Sequence, residues 1–366
     1  HINVSGCTVE KLGGAVIVPS PVLYAGNGIE FGNSSAHCTV TGCAISDIFD
    51  SGISPQTYSS NHHASDFTFS DSTISRCGFA GVEIAVLYNG GMVNSDIDGV
   101  IVRNVTVLDS GKGWSGRRYG VEGRGIKINA DLVAGDSTRG VSGVVVENST
   151  VSGSAGEGIF IGGRAGMVTV RRCTVRDNGG IGVLVQESLI TNLLLDLYSS
   201  VIRNNGTAPH GCGVAYNVPA GQGIVVRQNS FYDNNNIGLN IWSHDGEARI
   251  MNNVFHASAY RTHLLVNDDI SATAVISNNC FTEFGAGQPI FNYTGSTYDT
   301  VAAFDTAYSA FAAGDIGTSD PLLNADFTIQ GMGSPCYHAG NAAAGIALDR
   351  NGTPFSNPPS IGAYEY

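Results

Sequence analysis

Charge is scarce in this sequence. Asp, Glu, Lys and Arg make up 13% of 366 residues, too few to solvate the outer faces of many amphipathic helices. Positive charge is scarcer still: 18 Lys and Arg against 31 Asp and Glu leave a net charge of −13. That balance excludes general attraction to nucleic acid or to an anionic membrane surface. No apolar run reaches the length of about 18 residues that a spanning helix needs, so membrane insertion by a helix is excluded. Eight cysteines in so long a chain, with no CxxC pair, exclude a small disulfide framework and a thiolate metal knuckle.

What is abundant is glycine, 49 residues, and it falls in a pattern. The phrase Gly182-Val183-Leu184-Val185-Gln186 has copies beginning at Gly28, Gly52, Gly81, Gly125, Gly158, Gly213 and Gly238, and degenerate copies at His263 and Pro289. Successive copies lie 24, 29, 44, 33, 24, 31, 25, 25 and 26 residues apart, by subtraction of their numbers. A repeat of this period marks a solenoid, and the alternation within each phrase marks a strand. Each unit is too short to stand alone and is buried by its neighbours. The length alone would suggest two or more domains; the repeat predicts one.

A second signature precedes each phrase. In Val100-Ile101-Val102-Arg103-Asn104-Val105-Thr106-Val107 and Val144-Val145-Val146-Glu147-Asn148-Ser149-Thr150-Val151, an alternating strand meets a polar two-residue corner and a second strand begins. Asn and Asp suit such corners because they tolerate the left-handed backbone, and stacked Asn side chains can form ladders. The expectation is an all-β solenoid, a parallel β-helix of three sheets and about ten coils over residues 1–295. Cys7 and Cys43 hold the same place in consecutive coils, where they can pair or serve as small buried side chains. The register already runs from Ile2, so the expectation is either upstream residues that were removed or an unusual cap.

The pattern stops near Gly295, and 301–313 reads as a short helix or irregular arm. Then come Ser319-Asp320-Pro321-Leu322-Leu323, Asp326-Phe327-Thr328-Ile329, Gly333-Ser334-Pro335-Cys336, Asp349-Arg350-Asn351-Gly352 and Ile361-Gly362-Ala363-Tyr364-Glu365. This tail resembles that of secreted bacterial parallel β-helix proteins of the pectate-lyase-like superfamily. The resemblance implies a right-handed helix, a capping tail over 296–366, and an extracellular or periplasmic setting. It also implies a polysaccharide or oligosaccharide ligand, with calcium left open as a cofactor. The sequence departs from three branches of the superfamily. Ser54 and Gln56 replace the acid and histidine of the mannuronan epimerase phrase. The polygalacturonase set is missing, and so are the calcium-site and arginine features of pectate lyases.

The superfamily places its substrate groove along an outward sheet face. The outward column of the repeated phrase reads Glu30, Ser54, Glu83, Lys127, Phe160, Leu184, Ala215, Asn240, Leu265, Phe291. The next reads Gly32, Gln56, Ala85, Asn129, Gly162, Gln186, Asn217, Trp242, Asn267. Adjacent coils lie about 4.8 Å apart, so Glu83 and Lys127 are predicted neighbours, as an ordinary ion pair or as chemistry. The 44-residue spacing holds an insertion in which Lys112, Arg117, Arg118, Arg124 and Lys127 are interleaved with Trp114 and Tyr119. Such a loop suits an anionic sugar, because arginine forks hold carboxylates and rings stack on pyranose faces. Paired internally with the chain's own acids, the same arginines would be structural.

Two reactions fit. In uronate β-elimination a cation neutralises the C6 carboxylate and a base removes the C5 proton. Arg117, Arg118 or Arg124 can neutralise, with Lys127 or Tyr119 as base or acid. In hydrolysis Glu83 would work with Glu30, Glu122 or Asp131 as paired carboxylates. Gln56, Trp114, Asn129 and Asp131 complete the expected substrate-binding set. A glycan-binding solenoid without catalysis is the third reading. His62-His63 near Asp66 can bind a metal or act as a base and also reads as a solvated loop, while Trp242 with His244-Asp245 reads as a sugar platform or an exposed corner.

Overall fold

The computed structural model describes residues 1–17, 23–87, 94–113, 123–131, 140–186, 194–206, 211–218, 223–243, 246–270 and 273–366. All ten copies of the repeated phrase are strands of one sheet. It runs from Ile29–Gly32 to Phe291–Tyr293 in parallel and is closed by the antiparallel strand Ser296–Tyr298. The upstream signature supplies two more parallel sheets. One begins at Asn3–Ser5 and ends at Ala312–Ala313; the other begins at Thr8–Glu10 and ends at Ile316–Thr318. We call these the first and second sheets, and the glycine-phrase sheet the third. Together they form a right-handed parallel β-helix of about ten coils.

The repeated glycine is a matter of space, not of backbone angle. A Cβ on Gly182 would lie 2.5 Å from the carbonyl oxygen of Gly213 in the next coil. The same clash with the following coil arises at Gly28, Gly52, Gly81, Gly125, Gly158 and Gly213, at 2.5 to 2.9 Å. Glycine therefore sets how closely the coils stack at this corner.

The polar corners behave as predicted. Asp71, Asn104, Asn148, Arg172, Ser199, Gln228, Asn252 and Asn278 all take positive φ between the first and second sheets. The residue after each turns inward. Asn229, Asn253 and Asn279 form a buried ladder there. Each side-chain oxygen accepts the backbone N–H of the coil before it, at about 3 Å. Asn178, Asn205 and Asn234 form a second ladder at the next corner. Between the ladders runs a dry core of Val, Ile and Leu. A stack of Phe231, Phe255 and Phe281 fills it towards one end, with ring centroids 4.6 and 4.9 Å apart.

The first ladder ends in acid. Asp315 Oδ1 accepts from both the N and Nδ2 of Asn279, at 2.7 and 3.0 Å. Its other oxygen is buried against Asp305, on the short helix Val301–Ala307 that covers the end of the core. Two facing carboxylates there would lack a donor, so the pair shares a proton. Burial, with Asp305 adding to it, pushes Asp315 up to about 8.

Strand pairing continues beyond residue 295, through Ala312–Ala313 and Ile316–Thr318. Residues after 318 then turn back along the outside of the second sheet. Ile329, Cys336 and Ile361 pack on Val254 and Cys280, while Phe327 and Ala363 pack on Val201. The left-handed corner residues hold this tail. Gln228 Nε2 donates to the Ser360 carbonyl at 3.0 Å, and Asn252 Nδ2 to that of Asn341 at 2.9 Å. Ser199 Oγ donates to the Leu348 carbonyl at 2.9 Å. Cys7 and Cys43 are not bonded to each other. Cys7 is exposed, and each thiol donates to backbone carbonyls of its own corner.

Two positions of the outward columns differ from the sequence reading. Asn292, not Phe291, stands opposite Leu265; Phe291 is one residue out of phase, buried and stacked on Phe304 at 4.4 Å. A register shift after Tyr216 places Ser243, not Trp242, opposite Asn217. Degenerate copies lose the glycine that marks the phase, and an extra residue in a strand moves its partner.

Two measurements check these points. Gly182→Ala is expected to lower stability by about 1–3 kcal/mol in urea unfolding, because the backbone it strikes cannot step aside. Asp315 keeps in the folded state a proton that the unfolded chain releases above its ordinary value of 3.8. The resulting stabilisation is present below that point and is lost as pH rises through about 8. The native protein should therefore lose stability relative to Asp315→Asn as pH is raised to about 9, and parallel curves would refute the shared proton.

Candidate active site

The strand Arg124–Ala130 lies between Ala80–Val86 and Ile159–Gly163 in the third sheet. That order sets Glu83, Lys127 and Phe160 side by side although 44 and 33 residues separate them in the chain. Lys127 Nζ donates to Glu83 Oε1 at 2.9 Å. Ser51 Oγ and Gln56 Nε2 both donate to Oε2, at 2.9 and 3.0 Å. Ser54 braces the group, receiving Gln56 Nε2 at 2.6 Å and donating to the Glu83 carbonyl at 3.2 Å. The side chains of Glu83 and Lys127 are 5% and 12% exposed, so this outward column is covered here. The Lys127 ammonium also lies 4.7 Å from the centroid of the Phe79 ring.

A second ion pair adjoins the first. Arg124 Nε donates to Glu157 Oε2 at 3.1 Å, both side chains being 18% exposed. The Arg124 guanidinium lies over the Phe160 ring at 4.0 Å. Gly111 and Gly123 touch each other: a Cβ on Gly111 would sit 2.5 Å from the Gly123 Cα. The described residues that flank the insertion thus meet at a two-glycine contact next to Arg124 in the chain.

Of the predicted residues, the structure brings together Glu83, Lys127 and Gln56, with Arg124 alongside. Asn129 follows on the same strand and donates to Asp131 Oδ1 at 2.8 Å. Glu30 is exposed, accepts from Asn27 Nδ2 at 3.0 Å, and is separated from Glu83 by the strand of Ser54. Trp114, Arg117, Arg118, Tyr119 and Glu122 lie outside the described residues, as do His244 and Asp245. His62 and His63 are on the first sheet's side, where His63 Nδ1 meets Asp96 Oδ1 at 2.5 Å. Among the described residues no three His, Cys, Asp or Glu side chains converge as metal ligands.

The sequence reading missed Ser51 and Glu157. Both directly precede a phrase glycine, and that position forms a third outward column: Asn27, Ser51, Ala80, Arg124, Glu157, Ile181, Cys212, Ile237. Read down, it shows Arg124 beside Glu157. It also shows where the face turns apolar, because Ile181, Cys212 and Ile237 cluster with Phe160, Leu184 and Ala215.

The family described as right handed beta helix region matches residues 1–255 and, in an overlapping second match, 137–305. The chain belongs to this family. Its fold is the pectate-lyase-like one. Pectate lyase Pel9A superposes with a TM-score of 0.52 over 92% of this chain and 82% of its own, at 14% identity. XylC in complex with xylose gives 0.45 over 92% and 60%, at 11% identity. The periplasmic alginate epimerase AlgG gives 0.25 over 70% and 66%, at 8% identity. No curated protein sequence matches the chain.

The covered ion pair yields a stability test. Glu83→Ala strands the Lys127 ammonium in a site that is mostly dry and is expected to cost about 3–5 kcal/mol. Removing both charges, as Glu83→Leu with Lys127→Met, should recover most of that loss in chemical denaturation. Unchanged stability in Glu83→Ala would show that water reaches the pair.

Proposed function

We propose that this protein is a carbohydrate-active enzyme that cleaves a uronate-containing polysaccharide by β-elimination, in an extracellular or periplasmic setting. The observation that carries the reading is the state of Glu83. Both its oxygens are engaged, by Lys127, Ser51 and Gln56, and it is nearly closed to solvent. A hydrolase needs a carboxyl free to give a proton to the leaving oxygen, and a second carboxylate at a set distance. Glu83 is tied up, and Glu30 lies two strands away, roughly 10 Å at ordinary strand spacing. The carboxylate instead positions a cation.

In this reading Lys127 gives a proton to Glu83 across their hydrogen bond and, as the free amine, takes the C5 proton of the uronate. The electrons of that bond form the C4–C5 double bond, and the bond from C4 to the glycosidic oxygen breaks, its electron pair leaving on that oxygen, which takes a proton from water. Arg124, held by Glu157 and Phe160, faces the C6 carboxylate, whose neutralisation acidifies the C5 proton. Its planar fork matches a carboxylate, as a lysine's point charge does not. Glu83 holds the proton that Lys127 gives up, and Ser51 and Gln56 position Glu83.

The test is a panel of uronate and neutral polysaccharides, read for ultraviolet absorbance of the unsaturated product and for new reducing ends, with and without calcium. Both signals should rise together on a uronate polymer, and Lys127→Ala should lower the rate on the order of 10²–10⁴-fold. Reducing ends without absorbance would replace elimination by hydrolysis. Binding without either product would make the protein a glycan-binding solenoid.

A further inference from the structure

The tail and the second sheet meet at two cysteines. Cys280 starts the strand Cys280–Thr282 and lies in the outward column between Val254 and Ile316. Cys336 lies on the tail, where its carbonyl accepts from Ile361 N at 2.8 Å and its N–H donates to Ser334 Oγ at 3.1 Å. Both residues are wholly buried, in one apolar cluster with Val254, Ile329 and Ile361. Both thiols are free, and the Cys336 thiol hydrogen-bonded to that of Cys280, together with burial, pushes Cys280 well above the ordinary thiol value.

This pair differs from the other thiols. Cys7, Cys38, Cys43, Cys77 and Cys173 each donate to backbone carbonyls at their own corners. Cys212 sits in the outer apolar cluster. Cys280 and Cys336 instead face one another from segments 56 residues apart, by subtraction of their numbers.

We infer that Cys280 and Cys336 close into a disulfide that fastens the tail to the solenoid. Thiols already in contact need only a short approach to the bonding distance of about 2.05 Å. The oxidant is an exchanging disulfide, such as oxidised glutathione. One cysteine thiolate attacks it and releases one glutathione thiolate. The second cysteine thiolate then attacks the mixed disulfide and releases another. The two protons lost by the cysteines are taken up by the two released thiolates, so one disulfide is reduced as the other forms. Exchange takes place during folding, before the pair is covered, because a buried thiol raised in this way yields little thiolate.

The full chain would be refolded in a mixture of reduced and oxidised glutathione and then alkylated in denaturant. Intact mass and non-reducing peptide mapping are the readouts. Six of the eight cysteines are expected to take the label, with the peptides holding Cys280 and Cys336 joined. In Cys336→Ser all seven remaining cysteines should take it. Eight labelled cysteines, or a bond joining any other pair, would overturn the proposal. The readout does not depend on substrate, so it stands apart from the catalytic reading.

Discussion

Everything in this molecule depends on the coils stacking one strand-spacing apart without slipping. Backbone hydrogen bonds fix the spacing, but they would tolerate a shift of register. Two features remove that freedom. At one corner, glycine lets the backbone of the next coil approach to a distance that no side chain permits. At the others, buried Asn oxygens accept both the backbone N–H and the side-chain amide of the Asn in the neighbouring coil, and a slip would leave them unpaired in a dry interior. Residues far apart in sequence are therefore brought into straight columns, and chemistry can be assembled from whichever outward positions a column offers.

Most of that frame was legible in the sequence, for a physical reason. Strand alternation, left-handed corner residues and glycine at the close approach are local demands repeated in every coil, so each copy corroborates the others. Asn104, Asn148 and Asp71 turn as expected, and Glu83 meets Lys127. The failures lie where repetition weakens. Phe291 and Trp242 were misplaced because a degenerate copy and a one-residue bulge shift phase without leaving a strong local mark.

The tail's path was legible as well, though in a column that the sequence reading passed over. The outward position of the second sheet reads Thr73, Thr106, Thr150, Thr174 and then Val201, Ser230, Val254, Cys280, Ile316. Threonine suits a strand facing water; the change to mostly apolar residues marks where something lands. Arg350 Nη2 reaches Thr174 Oγ1 at 3.3 Å, at that border. Site burial was not legible. The sequence shows that Glu83 faces outward, but not that Ser51 and Gln56 close over it, because the lining comes from the two coils on either side.

A stack whose units touch only their nearest neighbours comes apart from its ends, coil by coil. The tail breaks that rule for part of this molecule. By binding the corners at Ser199, Gln228, Asn252 and Asn278 it ties four successive turns to one segment. Those turns cannot open singly; one that opens must also strip the segment shared with the rest. The protein thus has a clamped half that opens all or none, and a half that the tail does not reach. The Glu83–Lys127 pair lies in the half without the clamp, where local opening is the less hindered.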